Sequence, residues 1–247
     1  MRGTIFAYHA IGECDRSDDP HNLFVTASSF ADQMRYLADR YQVVSLQDLV
    51  ERPHGSSRRV AITFDDAYRN VLVNAVPILE AHGFTATVFI PTGHLGGRNT
   101  WDPPSSCDLE IMSADDLVEA GARGISFESH GHVHLDMSVA DPEEIRRDIR
   151  LSIERLSELV GEPPRYLAYP YGRSSVAARQ VAAEEGFSAA FSIDALDAGT
   201  FAWERVQITP RDGQLLFSIK ASGRYLRLRY SKPLSAAYRL FKPLVRR

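Results

Sequence analysis

Short apolar runs separated by amphipathic helical patterns recur along most of this 247-residue chain. Runs rich in β-branched and aromatic residues at Thr4–His9, Arg59–Phe64, Thr85–Ile90, Ile125–Glu128, Tyr166–Tyr169, Ala189–Ile193 and Arg205–Ile208 read as strands, with a shorter one at Val43–Val44. Apolar residues at helical spacing predict helices over Ser28–Asp39, Leu46–Leu49, Asn70–His82, Ala114–Ala120, Pro142–Val160 and Ser174–Glu185. Strands that alternate with helices are joined by crossovers, and crossovers build a parallel sheet. The expected fold is therefore α/β, with closure of the sheet into a barrel compatible with the length. No Pro/Gly/Ser-rich linker divides the pattern, so residues 1–223 read as a single domain.

Residues 224–247 read as a separate appendage. Eight of the 28 Lys/Arg and none of the 32 Asp/Glu fall there, interleaved with Tyr225, Leu228, Tyr230 and Phe241. Basic residues among aromatics and leucines suit an anionic lipid surface; a terminal helix packed on an acidic body, or a disordered tail, is the alternative. The body that remains is acidic, which argues against nucleic acid. The opening MRGTIFAYHAIGE lacks the pattern of a signal peptide, and no run approaches the ~18 apolar residues of a membrane span. Cys14 and Cys107, the only two cysteines, sit in polar, loop-like sequence and read as free thiols in a reducing compartment. The expected location is the cytoplasm, with peripheral contact at the inner membrane surface.

In a parallel barrel the chemistry sits at the C-terminal ends of the strands. That rule selects His9, Asp65 and Asp66, the loop Pro91–Trp101, His130, and Tyr169–Gly172. In ITFDDAY a buried strand runs straight into two adjacent carboxylates. Two like charges in such a place repel, and burial without a partner is costly, so a positive charge is expected nearby. In SHGHVHLD three of the chain's eight histidines fall within five residues. His130 and His134 lie four apart, which one helical turn would bring to one face; a polar surface loop is the alternative. With Asp66 they make a His₂–carboxylate set with open positions, the pattern of a catalytic metal site. A divalent ion at Asp66 would offset one charge and leave Asp65 free to act as a base. In AYPYG, Pro170 and Gly172 force an irregular turn at a strand end, which can aim a backbone N–H at a developing oxyanion.

Taken in order, TFDD, the H-x-x-x-H of His130–His134 and YPYG resemble the motifs of the polysaccharide deacetylase family, carbohydrate esterase family 4. The resemblance runs from about Thr4 to Gly213. AYHAIG and FIPTGHLGGRNTW are further similar to the branch whose members begin with Tyr-His. The resemblance implies a distorted (β/α) barrel of about seven parallel strands and metal-dependent removal of an N-acetyl, or sometimes an O-acetyl, group from a sugar. Carried over by motif, Asp65 would be the general base, Asp66, His130 and His134 the metal ligands, and Tyr171 the source of an oxyanion-binding backbone N–H. Such a site accepts Zn in the first place, and Co, Ni, Fe or Mn by geometry.

Two departures from the family's pattern stand out. The Arg that usually opens the third motif, and pairs with the base, is Ala168 here. Without it the pKa of Asp65 is expected to sit higher than in typical members, with Arg173 or Arg205 as candidate substitutes. The late Leu-x-His that usually supplies the general acid is also missing, since no His follows His134. His9 is the first candidate for the acid, ahead of His132 and His94. Trp101, Tyr169, Pro170 and His94 are candidate substrate contacts, with Trp101 either stacking on a sugar ring or filling the core. Arg98 is a candidate for a phosphate of a lipid-linked sugar.

The expected function is a metal-dependent hydrolase that removes an N-acetyl group from a sugar of a glycan or lipid-linked glycan intermediate. An O-acetyl esterase or cyclic-amide hydrolase of the same fold is one alternative, because an ester leaving group needs less help from an acid. A carbohydrate-binding pseudoenzyme is another; Ala168 and the missing His favour it, and the intact Asp65–Asp66–His130–His134 set opposes it.

Overall fold

A computed structural model describes residues 3–52, 58–104, 106–193 and 199–226. Its strands are β1 (Thr4–Tyr8), β2 (Ala10–Ile11), β3 (Phe24–Val25), β4 (Gln42–Val43), β5 (Arg59–Phe64), β6 (Ala86–Ile90), β7 (Ile125–Ser129), β8 (Tyr166–Ala168), β9 (Ala189–Ser192), β10 (Trp203–Glu204) and β11 (Val206–Gln207). The α-helices are α1 (Ala27–Arg40), α2 (Leu46–Glu51), α3 (Val76–Ala81), α4 (Ala114–Ala122), α5 (Pro142–Val160), α6 (Val176–Glu184) and α7 (Gln214–Ala221). The sheet runs β10-β9-β8-β7-β6-β5-β1-β11, with β4 added beside β5, and every pairing is parallel. This is the expected distorted (β/α) barrel, with nine strands rather than about seven.

The two ends of the sheet are consecutive in sequence. β10 pairs with β9, β11 pairs with β1, and Arg205 is the single residue between them. Its N–H still bonds Ser192 O at 2.8 Å, while Ile208 N–H already bonds Ala7 O at 2.9 Å. One extended segment thus switches partners at Arg205 and spans the seam of the barrel.

Strand periodicity decides which side chains meet inside. In β5, Val60, Ile62 and Phe64 face the helical layer with Phe30, Met34 and Leu37 of α1, whereas Ala61 joins Ile5, Phe89, Ala168 and Phe191 in the barrel interior. Thr63 and Asp65 continue the inward parity of Ala61. The strands are buried on both faces, as a sheet covered by crossover helices must be.

The expected helix over Asn70–His82 begins with a π-helical stretch, Val71–Ala75, before α3. The widened turn lets both Asn70 and Asn74 bond the backbone of Ile11, at 3.1 and 2.7 Å, which pins the segment just after His9. The pair β2–β3, strand β10 and helix α7 had no counterpart among the expected elements: two-residue strands carry no periodicity to read, and α7 starts at Gly213 without a side-chain cap. Of the appendage, only Arg224–Leu226 is described. These residues are helical, and Tyr225 and Leu226 pack on the main core. The proposed lipid-binding residues 227–247 lie outside the described residues. Among the described residues no helix is long and apolar enough to cross a membrane.

The expectation of two free thiols is corrected: Cys14 and Cys107 form a disulfide, with Cα atoms 6.8 Å apart. The cysteines are 93 positions apart, so only the folded loops bring them together. Cys107 N–H also bonds Asp18 O at 2.8 Å, clamping the loop after β2 to the long loop after β6. The thiol argument for a reducing compartment falls with that expectation. Closing so long a loop restricts the unfolded chain, so the Cys14→Ser/Cys107→Ser double variant is predicted to lose roughly 2–4 kcal/mol in urea unfolding. An unchanged midpoint and slope would show that the bridge contributes nothing.

Candidate active site and metal centre

Asp65 and Asp66 leave the end of β5 in opposite directions because the backbone turns sharply there. Asp66 and Ala67 both adopt the left-handed region, with φ of 70° and 53°. Non-glycine residues rarely occupy it, and such strain gathers at functional sites. The turn leaves Asp65 on the inward face of the barrel and swings Asp66 toward the loop after β7.

Asp65 meets Arg205 across the barrel interior. Nη1 and Nη2 of the guanidinium donate to Oδ1 and Oδ2 of the carboxylate, each at 2.7 Å, and Nη1 also donates to Thr63 Oγ1 at 3.0 Å. Arg205 is completely buried, with its guanidinium 5.1 Å from the centre of the Phe89 ring. Burial, the largest single influence, would raise the pKa of Asp65, but the charge and hydrogen bonds of Arg205 together with the charges of His130 and His9 outweigh it, so the group lies below its ordinary value. The expected rise is therefore corrected: the positive partner missing at Ala168 arrives from the seam of the barrel. Arg173, the other candidate, pairs instead with Asp136 at 2.5 Å and lies against the Tyr171 ring.

Asp66, His130 and His134 converge on one point. The three donor atoms lie within 4.8 Å of one another, and Nε2 of His130 and of His134 stand 3.3 and 3.2 Å from Asp66 Oδ1. His130 Nδ1 is 2.8 Å from Ala168 O, and a carbonyl can only accept, so Nδ1 carries a hydrogen there. In the neutral ring Nε2 then turns its lone pair toward a carboxylate oxygen, an arrangement that needs a positive charge between the two. Burial works against the ionised Asp66, and a positive charge on the imidazole side, a proton or a shared metal ion, holds it well below its usual range. Two imidazoles and one carboxylate, all buried, fit a divalent transition metal with positions left open. The two histidines do not share a helical turn as expected. They sit on an irregular loop with left-handed backbone at Gly131 (φ 76°) and at His134 itself (φ 57°).

His9 lies beside the pair, its Nε2 3.9 Å from Asp65 Oδ2 and its buried Nδ1 without a hydrogen-bond partner among the described residues. Burial depresses its pKa against the pull of Asp65 and Asp66. His132, the second candidate acid, bonds Thr92 Oγ1 through Nδ1 at 2.9 Å and is not in the triad. Trp101 stacks on the His134 ring with centroids 4.4 Å apart, and His94 meets the edge of Trp101 at 4.9 Å. Tyr171 stands edge-on to His134 at 4.7 Å, is 49% exposed, and has the left-handed backbone (φ 59°) of an irregular turn. Tyr169 and Pro170, expected as substrate contacts, are both buried, and the Tyr169 hydroxyl donates to Phe201 O at 3.0 Å. Arg98, the candidate for a phosphate, pairs with Asp108 at 2.7 Å and Glu110 at 3.4 Å on the surface.

One neighbour escaped the sequence reading. Tyr68 is buried, stacks on Trp101 with centroids 6.5 Å apart, and lies close enough to Asp66 and Asp102 for burial and their charge to raise its pKa well above 10.0. Its place three residues after Asp65 was the only available signal.

Removing Arg205 would leave Asp65 buried without its cation. Arg205→Met is predicted to cost about 3–5 kcal/mol of stability. In Arg205→Lys, which keeps the charge and loses the two-pronged bond, the acid limb of the pH–rate profile is predicted to move to higher pH, because Asp65 protonates more readily. An acid limb at the wild-type position in the Lys variant would contradict control of Asp65 by this geometry.

The sequence profile described as polysaccharide deacetylase matches residues 52–190, more than half of the chain. A poly-β-1,6-N-acetyl-D-glucosamine N-deacetylase of Staphylococcus aureus (strain MRSA252) is 27% identical over 191 residues, covering 72% of this chain and 64% of that protein. The chain thus spans about two thirds of the length of this relative. YxkH of Bacillus subtilis (strain 168), named a polysaccharide deacetylase provisionally, is 24% identical over 215 residues, 83% of this chain and 71% of its own. The solved structure of IcaB from Ammonifex degensii superposes with a TM-score of 0.76 at 20% identity, over 89% of this chain and 97% of that one. The Streptococcus pyogenes deacetylase PplD gives 0.75 at 21% identity, over 88% and 97%. At such identities the two structures speak for the fold, and the sequence profile speaks for descent. The chain belongs to the polysaccharide deacetylase family.

Proposed function

We propose that this protein is a metal-dependent hydrolase that removes the N-acetyl group from N-acetylhexosamine units of a glycan. The observation that carries the reading is the pair of differently compensated carboxylates at the mouth of the barrel. Asp65 is ionised by Arg205, and beside it Asp66 is gathered with His130 and His134 into a metal-binding set. A binding module would need neither. The name of the Staphylococcus aureus relative supports an N-acetylglucosamine polymer as the substrate class.

Asp66, His130 and His134 would hold the metal, which supplies Lewis acidity to the acetyl carbonyl and to the attacking water. Asp65, kept ionised, takes the proton of that water. The Tyr171 N–H stabilises the negative charge that develops on the carbonyl oxygen. His9, neutral through burial and 3.9 Å from Asp65, takes up the proton that Asp65 has received and passes it to the departing amine. Trp101 and the exposed Tyr171 ring flank His134 and form the walls against which the acetyl group and sugar rest.

The test compares acetate release from a β-1,6-linked N-acetylglucosamine oligomer and from an O-acetylated oligosaccharide of matched length, with Zn²⁺ or Co²⁺ supplied. The N-acetylated oligomer is predicted to release acetate and expose free amines, and Asp65→Asn to slow this roughly 10²–10⁴-fold. His9→Gln is predicted to slow the amide more than the ester, because only the amine leaving group needs the proton. Release from the ester alone would replace this reading with the esterase. Release from neither, with metal bound, would favour a binding protein.

A further inference from the structure

We propose that Asp148 is a positioning residue for the metal centre, setting the loop that carries His130 and His134 without supplying a ligand atom itself. This rests on the metal reading of Asp66, His130 and His134.

Helix α5 presents Ile145, Ile149, Ser152 and Leu156 to the interior, and Asp148 lies on that same buried face. An apolar residue there would continue the stripe with no desolvation cost, whereas a carboxylate must be compensated. Among the described residues no Lys or Arg forms a salt bridge with Asp148. Its compensation is the backbone of the histidine loop. Oδ2 accepts from His132 N–H at 2.8 Å and Oδ1 from Val133 N–H at 2.9 Å. One carboxylate thus holds two consecutive N–H groups, both lying between the two candidate ligands. Hydrogen bonds to an ionised acceptor are about twice as strong as neutral ones, so this fastening is firm.

The same loop has every reason to need fastening. It is not helical, and Gly131 and His134 both have left-handed backbone. On its opposite side, Thr92 N–H bonds Gly131 O at 3.1 Å and Gly93 N–H bonds His132 O at 2.8 Å. The loop is therefore gripped from two directions, by the turn after β6 and by Asp148. Glycine at 131 is part of the device: a Cβ built there would lie 2.5 Å from Asp148 Oδ2. Residue 131 thus provides both the left-handed turn and the room for the carboxylate. Without Asp148, the stretch between the two imidazoles would be held by the turn after β6 and by the Gly131 N–H bond to Ser129 Oγ, while His130 would keep its own bond to Ala168 O.

Partners that orient metal ligands typically change metal affinity 10–100-fold when removed. The test is the dissociation constant for Zn²⁺, and the visible absorption of the Co²⁺-loaded protein, in wild type, Asp148→Asn, Asp148→Ala and Leu151→Ala. The Asn variant keeps one acceptor and turns an amide N–H₂ toward the other N–H; the Ala variant removes both acceptors. Both are predicted to bind Zn²⁺ 10–100-fold more weakly and to alter the Co²⁺ spectrum, while retaining the circular dichroism of the fold. Leu151→Ala, on an exposed part of the same helix, is predicted to match wild type. A merely structural role would lower the unfolding temperature of the metal-free protein and leave the dissociation constant and Co²⁺ spectrum in place; that result, in whichever variant folds, overturns the proposal. Wild type that binds neither ion would overturn the metal reading itself and the proposal with it.

Discussion

A guanidinium completely enclosed in the barrel is tolerable only because it meets a carboxylate in two-pronged geometry, and the Arg205–Asp65 pair is what the interior is arranged around. Neither charge could be buried alone. Arg205 is also the residue at which the last strand segment changes partners, from β9 to β1. Closing the barrel and ionising Asp65 are therefore one structural event. The pair also explains how adjacent aspartates coexist. Asp65 is compensated from across the barrel, so Asp66 is left to be compensated by the two histidines and the cation they would hold.

The site draws on distant parts of the chain: His9 after β1, the aspartates after β5, Trp101 from the loop after β6, the histidines after β7, Tyr171 after β8 and Arg205 from the seam. Each is placed by a rigid strand end and then adjusted by a local device. Left-handed backbone turns Asp66, Asn70 and Asn74 pin the segment beyond His9, and Asp148 holds the histidine loop. The Trp101 loop is tied down by the Cys14–Cys107 bridge and by Asn99, whose amide bonds Asp102 Oδ2 and Cys107 O at 2.8 and 2.9 Å. A wall against His134 is thus fastened to the loop that follows β2.

The strands and helices that position the site were legible because they are long enough to be periodic; β5 and α5 occur at the expected residues. The carboxylates and histidines were legible because their chemistry is confined to short motifs. What escaped was set by tertiary geometry. Nothing local to Arg205 distinguishes it from Arg173 as the partner of Asp65; only closure of the sheet does. The disulfide joins two loops that sequence leaves apart. The spacing of His130 and His134 suggested a helical turn, but the glycine between them and the carboxylate of α5 shape a different loop. Tyr169 looked like a site residue from its motif, yet strand parity turns its ring into the core.

On the proposed mechanism, everything at the mouth of the barrel depends on Asp66, His130 and His134 together holding a catalytic metal. Elemental analysis of the purified protein after reconstitution with Zn²⁺, beside Asp66→Ala and His134→Ala, tests it without knowledge of the substrate. About one ion per chain in the wild type, lost in both variants, is the predicted result. A wild type without metal, or variants that retain it, would contradict the claim.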